Sequence, residues 1–283
     1  MIWNSISIKK IEDNDCEFFK KFSVKYSMVM FASLMKLNIF EKISLEELEN
    51  YIKEKEKHSK IEMKEIEAFF LGIGLEIETS VLKEEREFSL KNIYNDQFKG
   101  KNILEIFEVI SNIEEFISLF IIVEDSLLNF LNTKGKKTKK NFKIIENLFK
   151  LLEEENKKNK FLEKISDKTY LRNLENLEKL WDFLRKIRNL IAHSYGIMNE
   201  KNIKKINEMI GEIISMLDFP TLTLLSDMDS LLNPWEGIPE RDDIINRPIL
   251  KENYIIPFDS ITCRFFRNFF IYFMESLNET FKS

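Results

Sequence analysis

The stretch WDFLRKIRNLIAHSYG, residues 181–196, decides how this chain is read. Trp181, Leu184, Ile187 and Ile191 recur at the three- and four-residue spacing of one helix face. Gly196, just past the run, supplies a plausible stop. Upstream the pattern continues, because all five prolines lie between Pro220 and Pro257. Proline-free sequence with apolar residues at a period of 3.6 reads as helix after helix.

That reading predicts helices over 15–36, 44–57, 62–72, 103–132, 141–156, 169–195, 200–217 and 258–281. LEIETSVL (75–82) and REFSLK (86–91) alternate around a KEE turn, which predicts a short β-hairpin. The expected fold is therefore all-α, mainly a helical bundle, with a small hairpin in its N-terminal region. Three parts are expected: an N-terminal region 1–100, a helical domain 101–217, and 218–283. The last part joins a proline-containing crossing segment to an aromatic helix. Phe258, Phe265, Phe266, Phe269, Phe270, Phe273 and Phe281 cover much of that helix, so it belongs in a core or a subunit interface. Arg264 and Arg267 on it read as structural or interfacial.

Composition narrows the chemistry. Seven glycines and five prolines among 283 residues leave little material for phosphate loops, and no GxGxxG or GxxxxGK[ST] string occurs. Two histidines cannot build a His-rich metal site. Cys16 and Cys263 stand 247 positions apart with no CxxC, so neither a zinc ribbon nor a disulfide framework is expected. No cofactor is implied. The N-terminus has no continuous apolar segment of the leader type, and the longest nearly unbroken apolar run, 116–123, is short of the roughly 18 residues of a membrane helix. A cytoplasmic protein without a membrane partner is expected.

Charge is uneven. Residues 133–205 carry 20 Lys and Arg against 10 Asp and Glu, a net of +10, and the remainder, 23 against 38, nets −15, which sums to the overall −5. A basic third within an acidic chain suits an anionic partner. Its densest part, KGKKTKKNFK, offers Lys134, Lys136, Lys137, Lys139 and Lys140 as candidate RNA contacts. A solvated lysine loop is the plain alternative.

Within the deciding stretch, Arg188 and His193 stand out against a chain with only eight arginines and two histidines. Asn189 and His193, four apart, share a helix face, whereas Arg188 lies about 140° from His193. In one straight helix these two cannot point at one atom. Either the helix distorts inside the motif, or a site combines residues from two subunits.

RNLIAHSY resembles the Rx4–6H motif of the HEPN superfamily, helical ribonucleases of toxin–antitoxin, phage-defence and CRISPR-linked systems. FIIVEDSLLNFL (120–131) is similar to the family's earlier core helix, which often carries an acid; Glu124 is the match and Asp125 the second choice. The likeness spans about residues 103–217. It implies a homodimer with a composite active site and metal-independent cleavage of RNA, in which the substrate 2′-OH attacks to leave a 2′,3′-cyclic phosphate. Arg188 would bind phosphate, His193 would transfer protons, and Asn189 would orient. These roles suit the groups: a guanidinium pairs bidentately with phosphate, and an imidazole ordinarily titrates near pH ~6.5. Tyr195 extends the motif to Rx4HxY; in family toxins paired with a nucleotidyltransferase antitoxin the matching tyrosine is a modification site, so an antitoxin or defence-system partner is implied.

Other readings stay open. His193 could be a buried histidine bonded to a carbonyl. Arg188 could pair with Glu124 or Asp182, a role compatible with phosphate binding. Asn189 could cap or bridge helices, and Trp181 reads as core. A non-catalytic HEPN-type assembly or regulatory module is the alternative function. ASLMKLNIFEKISLEELENYI through the hairpin is similar to a winged-helix module, but residues 44–72 are acid-rich, unlike a DNA-recognition helix. Residues 1–100 lack the βαβ alternation of a cyclic-oligoadenylate sensor.

Overall fold

The computed structural model describes residues 11–42, 44, 47, 103–136, 143–169, 171–194, 199–216 and 260–282. These residues form seven helices and no strand: α1 (Glu17–Lys42), α2 (Ile103–Thr133), α3 (Ile144–Glu154), α4 (Lys158–Lys168), α5 (Leu174–Ser194), α6 (Glu200–Met216) and α7 (Ser260–Phe281). The expected hairpin at 75–91, the helix at 62–72 and the crossing segment 218–257 lie outside the described residues, as does nearly all of the helix expected over 44–57. The chain divides into two compact units, residues 1–34 with 108–283, and 35–107. In the second, Ser44 and Glu47 form a reciprocal capping box. The Ser44 amide donates to Glu47 Oε2 at 2.9 Å, and the Glu47 amide donates to Ser44 Oγ at 3.1 Å.

In the first unit, local sequence sets the helix ends. After α2 the Lys136 amide donates to the Leu131 carbonyl at 2.9 Å and the Gly135 amide to that of Asn132 at 3.1 Å. This is a Schellman stop, and Gly135 (φ 76°) occupies its left-handed position. Asn156 (φ 55°) repeats the device after α3, with the Lys157 amide on the Leu152 carbonyl at 2.7 Å. Asparagine tolerates that conformation better than other residues with a Cβ. The chain then turns into α4, a helix that the apolar spacing does not predict. Its only fully buried residues are Phe161 and Ile165, too few to make a strong amphipathic signal.

Helix α7 is the centre of the unit. It packs against α4, while α5 packs on α6 and α3 lies against α4 and α5. Aromatic rings join the layers. Phe116 of α2 lies 4.3 Å from Phe266 of α7, Phe120 lies 5.0 Å from Trp181 of α5, and Trp181 lies 5.9 Å from Phe273 of α7. On α1, Phe19, Phe22 and Tyr26 are buried on one face. The two ends of the chain's described portion meet: Asn278 accepts the Cys16 amide at 2.8 Å and donates to Asp15 at 2.7 Å. The aromatic C-terminal helix is thus a core helix, as one reading of its sequence required.

One polar pair sits inside this core. Arg267 of α7 and Glu115 of α2 form a two-pronged ion pair, with Nε donating to Oε1 and Nη2 to Oε2 at 2.8 Å. Burial works against the guanidinium charge, but the Glu115 carboxylate outweighs it and holds Arg267 above its ordinary pKa. Beside it, burial and then Glu115 push the Tyr26 hydroxyl well above its usual range. Removing one member of such a pair strands a buried charge, at a cost of about 3–5 kcal/mol.

Candidate active site

Helix α5 is started by Asn173, whose side-chain oxygen accepts the Asn176 amide at 2.7 Å. It then runs without interruption to Ser194. Leu177, Leu180, Trp181, Leu184, Ile187 and Ile191 face inward and are buried. Arg188 sits at the border of that face, on the side of α2. Its Nη2 donates to Glu124 Oε2 at 2.8 Å, and its guanidinium carbon stands 5.1 Å from the centre of the Phe120 ring. Phe120 in turn rests on Trp181. The guanidinium therefore has an aromatic floor and a carboxylate stop, both supplied by one turn of α2.

The pair is incomplete. Glu124 Oε1 and Arg188 Nε are buried and make no hydrogen bond. The Arg188 side chain keeps 22% exposure while that of Glu124 keeps 7%. Burial raises the Glu124 carboxyl above the ordinary glutamate value of 4.5, and the opposing pull of Arg188 and Arg185 does not cancel it. An arginine held this way has a fixed position and 22% side-chain exposure, with Nη2 on Glu124 and Nε buried, so an anion would meet it only at its exposed part. One turn earlier, Arg185 and Lys186 both engage Asp182, at 2.5 and 3.0 Å. They keep the Asp182 carboxyl below its usual range despite burial.

His193 lies in the last turn of α5 and is exposed, and Asn189 is half-buried on the same side of the helix. The uninterrupted helix keeps Arg188 and His193 about 140° apart around its axis. Of the two ways the motif could converge, the distorted helix is not the one seen. Glu124 and Arg188 are brought together; His193 is not brought to them. Asp125, the second acid on α2, faces α1 and pairs with Lys25. Lys134 donates to Glu155 at 2.9 Å and Lys136 to Glu154 at 2.5 Å, so both are engaged by acids at the end of α3. Tyr195, Lys137, Lys139 and Lys140 lie outside the described residues.

Phe120 belongs to no motif in the sequence. Its signal was its place four residues before Glu124, on the same face of α2. Among the described residues no group of three His, Cys, Asp or Glu could hold a metal ion. Among the described residues one helix segment, Glu108–Thr133 of α2, is long and apolar enough to cross a membrane by length and composition, and half of its most apolar window is buried inside the structure. No protein-family model matches the chain, and no curated protein or solved structure is detectably similar to it.

Proposed function

We propose that this chain is a metal-independent endoribonuclease of HEPN type, acting as a homodimer on RNA. The observation that carries the reading is the seating of Arg188. It is anchored by Glu124 and Phe120 while its side chain stays 22% exposed, about one helical turn before an exposed His193 on the same uninterrupted helix. In the proposed reaction His193 takes the proton of a substrate 2′-OH, or returns one to the leaving 5′-oxygen. Arg188 binds the phosphate and offsets charge that builds on it in the transition state. Asn189 orients the reacting group. The 2′-oxygen bonds to phosphorus as the 5′-oxygen leaves, giving a 2′,3′-cyclic phosphate and a 5′-OH. DNA has no 2′-OH and is not cut. The likeness of RNLIAHSY to HEPN motifs assigns such an enzyme to phage defence, CRISPR-linked immunity or a toxin–antitoxin pair.

One observation favours a second reading, a non-catalytic HEPN-type assembly or regulatory module: Glu124 already occupies one side of the Arg188 guanidinium. Cleavage of varied RNAs in EDTA separates the two. Wild type that leaves cyclic-phosphate ends, with H193A inactive, supports the nuclease. Wild type as inert as H193A, alone and with candidate partner proteins, supports the module.

A further inference from the structure

The two arginines that reach α2 are held in different ways. Arg267 makes two parallel bonds to Glu115, and two bonds fix the plane of a guanidinium as well as its place. Among the described residues Arg188 makes one hydrogen bond, Nη2 to Glu124 Oε2, while its Nε and the second Glu124 oxygen have no partner. One hydrogen bond acts as an axle. It sets where that corner sits and leaves the plane free to turn about the line from Nη2 to Oε2. For a group that meets an anion only at its exposed part, this turn decides which way that part points.

The second constraint is the Phe120 ring, whose centre lies 5.1 Å from the guanidinium carbon. That ring is itself locked. Phe120 is fully buried, with Trp181 of α5 at 5.0 Å, Phe270 of α7 at 5.9 Å and Phe116, one turn back on α2, at 6.1 Å. Rings from three helices therefore hold it in place, and its contact with Arg188 lies at the border of the core. The negative face of an aromatic ring attracts a cation, so the contact resists turning of the guanidinium. An aliphatic side chain would fill most of the same space without that hold.

We propose that Phe120 is a positioning residue for Arg188. Its ring sets the orientation of a guanidinium that Glu124 secures at one corner, and so aims the exposed part of Arg188 at the substrate phosphate. The aim at a phosphate rests on the nuclease reading; the seating of the arginine does not. The two anchors divide the work. Attraction of RNA to Arg188 survives a turned guanidinium, because the charge remains. Stabilisation of the transition state does not, because it depends on direction. Loss of the ring therefore acts on kcat more than on KM.

The test uses the full chain, as F120L and with mono-, di- or trifluorinated phenylalanine placed at position 120. Fluorine withdraws charge from the ring face with little change of size, so it weakens the hold on a cation step by step while packing is kept. F120L is expected to lower kcat about tenfold or more, with KM within about threefold of wild type. The fluorinated series is expected to lower kcat in order of fluorine number at an unchanged melting temperature, which a ring that only packs would not do. A second readout needs no activity. With only eight arginines in the chain, Nε–H signals of arginine-labelled protein can be resolved by NMR, and R188K identifies that of Arg188. Its Nε is buried, which slows proton exchange, and its signal is expected to lose a ring-current shift in F120L. An Arg188 signal unmoved in F120L, a kcat flat across the fluorinated series, or a folded F120L that cleaves as wild type overturns the proposal. If the Arg188 signal moves in F120L but wild type cuts no RNA, the seating by Phe120 stands and the nuclease reading falls.

Discussion

Helix α2 makes two Arg–Glu pairs, and they behave differently. Glu115 holds Arg267 inside the core, while Glu124, nine residues on and on the opposite face of the helix, holds Arg188 at the surface. The inner pair is two-pronged and its side chains are each 2% exposed, although Arg267 Nη1 is buried there without a hydrogen-bond partner. The outer pair shows one bond, leaves Glu124 Oε1 and Arg188 Nε without partners, and keeps 22% of the arginine in solvent. The same two residue types thus serve two ends. Near-complete enclosure turns the first pair into a structural fastener, while partial exposure leaves the second arginine fixed in place and, under the proposed function, within reach of a phosphate.

The largest expected effect breaks the inner pair. R267L should destabilise the protein by about 3–5 kcal/mol through the stranded Glu115 carboxylate, seen as a collapse of the thermal melt. E115L/R267L together should recover much of that loss. If the double variant melts as low as R267L, the pair is not what holds the two helices.

The outer pair should respond in activity first. H193A is expected to lose about 10²–10⁴-fold in cleavage, and R188A a comparable amount, with melting temperatures within a few degrees of wild type. A melt that falls in R188A as far as in R267L would erase the distinction between the pairs.

A smaller effect concerns pH. Burial raises the folded-state pKa of Glu124, so the folded protein binds that proton more readily than the unfolded chain does. Stability from this group is present at low pH. It is lost as pH rises from the ordinary glutamate value of 4.5 through the raised folded value. E124Q should remove that downward slope from a denaturation series taken at increasing pH, and a series with the same slope in both proteins would contradict the assignment. Because Gln still accepts a bond from Arg188, the variant should retain most cleavage.

The smallest effect lies at the far end of α2. Lys134 and Lys136 pair with Glu155 and Glu154 near solvent, and K134A/K136A should change stability by less than about 1 kcal/mol. A filter-binding measurement on RNA then shows whether they contribute to affinity, with a shallower salt dependence as the sign of lost phosphate contacts.

The outer pair was more legible in the sequence than the inner one. Arg188 is one of eight arginines, it sits in a recognisable motif, and Glu124 is the acid that the resemblance matches on the earlier core helix. Arg267 was read as structural or interfacial, but nothing in the string selects Glu115 as its partner, because that choice is made by packing between elements 152 residues apart. The helices themselves were legible where the apolar period was strong. Helix α4 is not legible because two buried residues in an eleven-residue, lysine-rich stretch do not stand out, and the break before it depends on one left-handed asparagine. That Val24, Met28 and Phe31 of α1 are exposed is not legible for a related reason. A helix with apolar residues on both sides has no clear inside until its neighbours are placed.

The contact between Asn278 and Cys16 also sets a schedule for synthesis. The partners are 262 residues apart. At about 5–20 residues per second, a ribosome needs roughly 13–50 s to travel from one to the other. Until α7 emerges, Phe116 and Phe120 of α2 lack the aromatic helix that covers them, so the nascent chain waits with greasy surface in water. During translation the chain therefore exposes apolar surface for that interval, and its yield in a cell should fall short of what its final stability would suggest.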